Sequence, residues 1–174
     1  MSRQNAVALD GIDQRRAQWA RELPDLDTAG MAVIGRMRSI TLLLRPPIEA
    51  IFARHGVDSG EFDVISTLRR AGPPYRLRPT ELFRSLMISS GGLTARLDRL
   101  AKAGLVARES APDDARSLLV TLTPQGRALA EAAFREDMAF ESNVLGALDA
   151  EELQSLEALL RKLVTSMQPE EQVV

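Results

Sequence analysis

Arginine carries most of the chemistry in this sequence. Between Arg69 and Arg116 ten cations face five anions, a net +5 in a chain whose total is −2, so the remaining residues carry −7. Phosphates attract such a segment while they repel the acidic remainder, which is the charge distribution of a site-selective binder of double-stranded DNA. Nucleophilic and metal chemistry has little to work with. Cysteine is absent, which removes disulfides, thiol redox sensing and thiolate ligands together. The one histidine, His55, closes a helical pattern, where a satisfied helix-end side chain fits better than a ligand. The run Ser89-Ser90-Gly91-Gly92 lacks the lysine of a phosphate-binding loop, and no G-x-S-x-G occurs. Carboxylates are plentiful but fall mostly on exposed helix faces. The sequence reads as a binding protein rather than an enzyme, and it requires no cofactor and no metal.

The elements that position these groups run from Pro79 to Thr123. Pro79 suits a first helical position, with Thr80 and Glu81 in the first turn and Leu82, Phe83 and Leu86 as the apolar face. Ser89 and Ser90 can cap the next helix. That helix buries one stripe through Leu93, Leu97, Leu100 and Ala101, while Thr94, Arg96, Arg99 and Lys102 lie elsewhere. Gly104 ends it. Leu105–Arg108 and Leu118–Leu122 are strand-like, with a polar, proline-led hairpin tip between them. Helix, turn, helix and hairpin make a winged helix-turn-helix. A helix of this kind fits the major groove, and a basic hairpin tip reaches the neighbouring minor groove. The same plan also serves protein contacts alone, so a protein-interaction module that does not bind DNA remains the alternative.

The flanks are helical. Residues 1–9 read as a mobile tail. A short helix within 10–28 places Ile12, Arg16, Trp19 and Leu23 at helical spacing and stops at Pro24. Trp19 either anchors this helix or faces a ligand. Residues 29–57 form a long helix capped by Asp27 or Thr28, with Pro46-Pro47 expected to kink it. Residues 58–123 hold the winged helix-turn-helix. Its first helix, Gly60–Ala71 capped by Ser59, turns Phe62, Ile65, Ser66 and Leu68 inward and puts Asp63 and Arg70 on one face, two turns apart. Tyr75–Leu77 suits a one-rung edge strand beside the wing. Residues 124–174 supply two helices. The first runs from Pro124 to about Leu145 with Leu129, Ala133, Phe134, Met138 and Phe140 as apolar positions. The second is capped by Asp149, with Glu152 at capping-box spacing. Its leucines, Leu153 to Leu163, have no core of their own, so 29–57 and 124–174 are read as a dimerisation region. The fold class is mainly α with a small β-wing, a winged helix-turn-helix plus a helical dimerisation region. A homodimer of this kind offers two reading helices to a palindromic operator. No long apolar run and no signal-peptide pattern occurs, so a cytoplasmic protein with no membrane partner is expected.

Asp114-x-Arg116 followed by Leu122-Thr123 and Gly126 resembles the wing signature of MarR-type repressors. EFDVISTLRRAGPPYRLRPTEL and SSGGLTARLDRLAKAGLV are similar to that family's stretch from its second helix through its recognition helix, and the likeness covers roughly Met31 to Met167. The resemblance implies a ligand-responsive DNA-binding regulator, by the family's habit a repressor. It also implies a DNA face of Ser89, Ser90, Gly91, Thr94 and Arg99, with Arg116 entering the minor groove and Asp114 orienting it. The extra N-terminal helix resembles a urate-responsive subgroup of the family. So does the set Trp19, Asp63, Arg70 and Arg96, which the resemblance makes the site of a small anionic aromatic ligand such as urate or a related purine. In that reading a bound anion displaces Asp63 and re-aims Arg96, shifting the recognition helix. A phenolic or other aromatic carboxylate is the alternative ligand. Asp63 and Arg96 also fit a structural ion pair with no ligand.

Overall fold

The computed structural model describes residues 8–86, 92–111 and 114–168 and divides the chain into two compact units, Met1–Ser59 and Gly60–Val174. The first holds helices α1 (Gly11–Glu22) and α2 (Ala29–Arg54). The Asp10 side chain accepts from the backbone N–H groups of Ile12 and Asp13, and Asp13 returns the bond to the Asp10 N–H, so two orphan donors of the first turn are satisfied. Arg36 on α2 then grips both carboxylates at 2.8 Å. The Asp13 N–H first, and Arg36 further, hold the Asp10 carboxyl below its usual range; for Asp13, Arg36 is the leading cause. Ile12 is buried over Gly35, where a methyl group would come within 3.0 Å of its Cδ1. These contacts tie α1 to α2. Trp19, on the same helix, is 47% exposed. The α2 helix runs continuously through Pro46 and Pro47. Among the described residues no helix is long and apolar enough to cross a membrane.

The second unit takes up α3 (Ser59–Arg70), β1 (Arg76–Leu77), α4 (Pro79–Ser85), α5 (Leu93–Lys102), β2 (Val106–Ala111), β3 (Asp114–Leu122), α6 (Pro124–Leu145) and α7 (Ala150–Met167). Its small sheet is antiparallel in the order β1-β3-β2, with Arg76 opposite Thr121 and Arg108 opposite Val120. The architecture is mainly helical with a three-stranded wing. Ile65, Leu68, Leu82, Leu97, Leu100 and Val120 are fully or almost fully buried, each stabilising by about 1.5–3 kcal/mol relative to exposure. Gly126 lets α6 start hard against Leu105, whose carbonyl a Cβ at 126 would strike. Thr123 caps that helix by accepting from the Gly126 N–H at 3.0 Å.

Several expectations are corrected. Phe83, expected on the apolar face of α4, is about half exposed (47%), and Ser66 is only half-buried, while Val64 and Thr67 fill the core of α3. In α6 the buried face is the small-residue line Gly126, Ala130 and Ala133, continued by Asp137. The wing strands are longer than the apolar runs implied, because a solvated hairpin needs backbone pairing and not an apolar face. A register shift at Ser110/Ala111 marks its outer part. Gly92, at φ +95°, stands at the N-cap of α5, a position that favours glycine. Ser89 and Ser90, the expected caps, lie outside the described residues.

Candidate nucleic-acid interface

Helix α5 owes its length to Gly92 in front and Gly104 behind, the latter at φ +72°. Leu97 and Leu100 fix its buried face, which leaves Thr94 exposed on another side. Two of its charged residues, Asp98 and Arg99, are paired. Asp98 meets Arg108 of β2 at 2.8 Å, and Arg108 also donates to the Thr94 carbonyl at 3.4 Å, so the wing is tied to α5. Arg99, expected on the DNA face, donates through Nε to Glu61 Oε1 of α3 at 2.5 Å. Ser89, Ser90 and Gly91 lie outside the described residues. Asp114 and Arg116 are placed by their backbone at the start of β3, on the hairpin side of the wing.

Of the residues picked for ligand response, three lie in the second unit, where Arg96 packs on α3 and Arg70 bonds to the end of α4. Arg96 is half-buried, and its guanidinium lies over Gly60, where a methyl group would stand 2.6 Å from Cζ. Its Nη1 is buried without a hydrogen-bond partner among the described residues. Asp63 is half-buried and follows Gly60 by three residues, so it shares the α3 face on which Arg96 rests. Arg70, two turns farther on, is engaged elsewhere: its Nη2 donates to the Ser85 carbonyl at 2.6 Å and to Thr67 Oγ1 at 2.9 Å. There it satisfies an orphan carbonyl at the C-terminus of α4, where a cation also meets the helix dipole favourably. Trp19 belongs to the first unit.

Gly60, Glu61, Asp98 and Arg108 escaped the sequence reading. Nothing in their spacing marks them, since each pairs with a residue distant in sequence. Two further groups stand out in this unit. Tyr75, in the left-handed region at φ +60°, has the guanidinium groups of Arg69 and Arg127 over its ring, at 5.1 and 5.6 Å from its centre. Arg69 also pairs with Glu131 at 2.8 Å. On α6, burial raises the Asp137 carboxyl above its usual range, and burial together with the Asp137 charge raises Glu141. No group of three or more metal-ligating side chains occurs among the described residues.

Comparison with known proteins places the chain in a family. A MarR family model matches residues 55–117, from the end of α2 into β3. The HTH-type transcriptional regulator PecS of Dickeya dadantii is 38% identical over 146 residues, which span 84% of this chain and 88% of PecS. The chain belongs to the MarR family of transcriptional regulators. Among solved structures, the MarR family regulator Sco3205 of Streptomyces coelicolor, determined in complex with DNA, matches with a TM-score of 0.69 at 27% identity, covering 85% of this chain and 94% of its own. BpsR of Bordetella bronchiseptica, whose DNA binding is regulated by 6-hydroxynicotinic acid, matches with a TM-score of 0.58 at 26% identity, covering 74% of this chain and 98% of its own. MarR-family members regulate transcription and are not enzymes. This MarR-family chain is therefore a DNA-binding transcriptional regulator.

Proposed function

We propose that this MarR-family chain is a repressor that binds a palindromic operator as a homodimer and leaves it when a small anionic aromatic ligand binds. Urate or a related purine is the ligand favoured here. The observation that carries this reading is Arg96. A half-buried guanidinium on the inner side of α5, with Nη1 sealed from water and unpartnered among the described residues, is an incomplete electrostatic site. Asp63, on the same α3 face, is the carboxylate that a second anion would displace. Moving Arg96 then moves the helix that carries it. The ligand switches the protein only to the extent that it binds the displaced arrangement better.

Trp19 supplies an indole for stacking, and Arg70 joins the site only by giving up the Ser85 carbonyl. Ser89, Ser90, Gly91 and Thr94 face the major groove, and Arg116, oriented by Asp114, enters the minor groove. Residues 10–28 act as the added N-terminal helix, 58–123 as the reading head, and 29–57 with 124–174 as the dimerisation region. The outward apolar line Leu153, Leu156, Leu159, Leu163 and Met167 of α7 supports the last assignment. A second ligand reading, an aromatic carboxylate, draws support from BpsR, whose regulator 6-hydroxynicotinic acid offers the same anion-plus-ring chemistry.

The test is a titration of the full chain into labelled DNA from its own upstream region, at stated salt, with and without urate. Specific binding that urate weakens supports the proposal, and Arg96→Ala or Trp19→Ala should then lose response more than operator affinity. Binding unmoved by urate but weakened by salicylate or 6-hydroxynicotinate moves the assignment to aromatic carboxylates. Binding that no such anion alters overturns the ligand reading.

A further inference from the structure

The first turn of α3 receives two arginines from α5. Arg96 rests on Gly60, and Arg99 pairs with Glu61, the next residue. Positions 96 and 99 are neighbours on one helix face, and 60 and 61 are adjacent in the chain, so the two contacts form one seam. Beneath them Leu97 and Leu100 supply apolar packing, which is non-directional and leaves the pitch of a helix loosely specified. The Glu61 side chain is only 11% exposed, whereas that of Arg99 is 53% exposed. A carboxylate that deeply placed needs its cation in one geometry, and an ion pair of this kind sets register better than it adds stability. On the opposite flank Asp98 and Arg108 tie the same helix to the wing.

We propose that Arg99 is a positioning residue and not a contact to DNA, and that Glu61 and Arg99 together set the angle at which α5 is presented to the operator. The inference rests on the DNA-binding activity of the chain and is independent of any ligand. Glu61 is then a residue required for operator reading although it carries the wrong charge to approach a phosphate.

The sign of one substitution separates the two roles. If Arg99 contacts a phosphate, Glu61 competes with the DNA for it, and Glu61→Gln tightens binding or leaves it unchanged. If Arg99 positions α5, Glu61→Gln weakens it. The experiment uses the full chain and an operator selected from genomic fragments. Operator and non-specific dissociation constants are read across a salt series, with circular dichroism and thermal unfolding as fold controls. Positioning predicts an operator affinity reduced on the order of tenfold in Glu61→Gln, with non-specific affinity and salt slope unchanged. It further predicts that Glu61→Gln combined with Arg99→Ala is no weaker than Arg99→Ala alone, and that exchange of the two charges, Glu61→Arg with Arg99→Glu, restores most of the loss. Operator affinity in Glu61→Gln equal to or above wild type, with a salt slope reduced by about one in Arg99→Ala, overturns the proposal. If either single variant fails to fold, the charge-exchanged pair decides: folded and operator-binding supports the seam, folded and non-binding refutes it.

Discussion

Glu61 and Asp137 are both carboxylates buried in the second unit, at 8% and 7% exposure, yet they are handled in opposite ways. Glu61 meets Arg99 at 2.5 Å on the seam between α3 and α5. Asp137 lies on the small-residue face of α6, with Oδ1 buried and unpartnered among the described residues, and its charge acts on Glu141 one turn away. The first arrangement turns the expense of burial into a fixed geometry on the face of α5. The second leaves that expense uncompensated, and the carboxyl responds by holding its proton to higher pH. Burial alone therefore does not tell what a charged residue is for; the partner does.

The largest effect expected from this contrast follows removal of Arg99. Arg99→Ala removes the Arg99 ion pair from the buried Glu61 carboxylate, and we expect a loss of about 2 kcal/mol, at the lower end for a charged hydrogen bond because Arg99 is itself half exposed. Thermal or urea unfolding at pH 7 measures it. An unchanged midpoint would mean that Glu61 is satisfied without Arg99, and the two carboxylates would then no longer differ as described.

Asp137→Asn should act in the opposite direction and more weakly. At pH 7 it removes a buried charge, and the protein should gain about 1 kcal/mol. The pH dependence follows from the sign of the shift. The folded carboxyl sits above its ordinary 3.8, so the folded state binds protons more readily than the unfolded chain. Its stabilising contribution is complete below 3.8 and is lost as pH rises through the raised folded value. The advantage of Asp137→Asn should accordingly be present at pH 7 and shrink toward pH 4. The same substitution should bring the Glu141 carboxyl back toward its usual range, since Asp137 is one of the two causes that raise it; carboxyl titration by NMR reads this directly. A stability difference that does not change with pH would show that Asp137 is not the group left uncompensated.

This contrast also marks how much of the molecule was legible in the chain. Local signals read well. Pro79, Pro124, Asp149 with Glu152, and Gly104 begin or end helices where their chemistry requires. Leu97 and Leu100 of the expected stripe mark the inner face of α5, because periodicity of burial is written into consecutive residues. Phe83 misled, since a large apolar side chain at helical spacing says nothing about whether a neighbour covers it. The Glu61–Arg99 pair spans 38 residues and the Arg69–Glu131 pair 62, and no local pattern carries either. Arg70 lies on the same α3 face as Asp63 by count, yet a carbonyl at the end of α4 claims it. Glutamate at 61 would read as an ordinary first-turn helix residue, and glycine at 60 as a helix weakness, until α5 is laid against them.

Gly60 supplies the smallest effect on stability and the sharpest test of the seam. The atoms nearest a methyl group at this position belong to the guanidinium of Arg96, the far end of a flexible side chain. Arg96 can swing away, so Gly60→Ala should fold. Alanine also favours the helix over glycine by about 0.5–1 kcal/mol, which offsets the contacts that Arg96 gives up. We therefore expect an unfolding free energy within about 1 kcal/mol of wild type. Function should not be spared in the same way. With its seat filled, Arg96 is displaced before any ligand arrives. Operator affinity should fall toward that of the ligand-bound protein, and an added anionic ligand should lower it little further. Gel-shift titration with and without urate, beside thermal unfolding of the same preparation, separates the two quantities. Loss of stability with normal ligand response would place the role of Gly60 in folding alone. Retained stability with a blunted response would make an absent side chain part of the switch, a counterpart to Glu61, whose side chain is held one residue away.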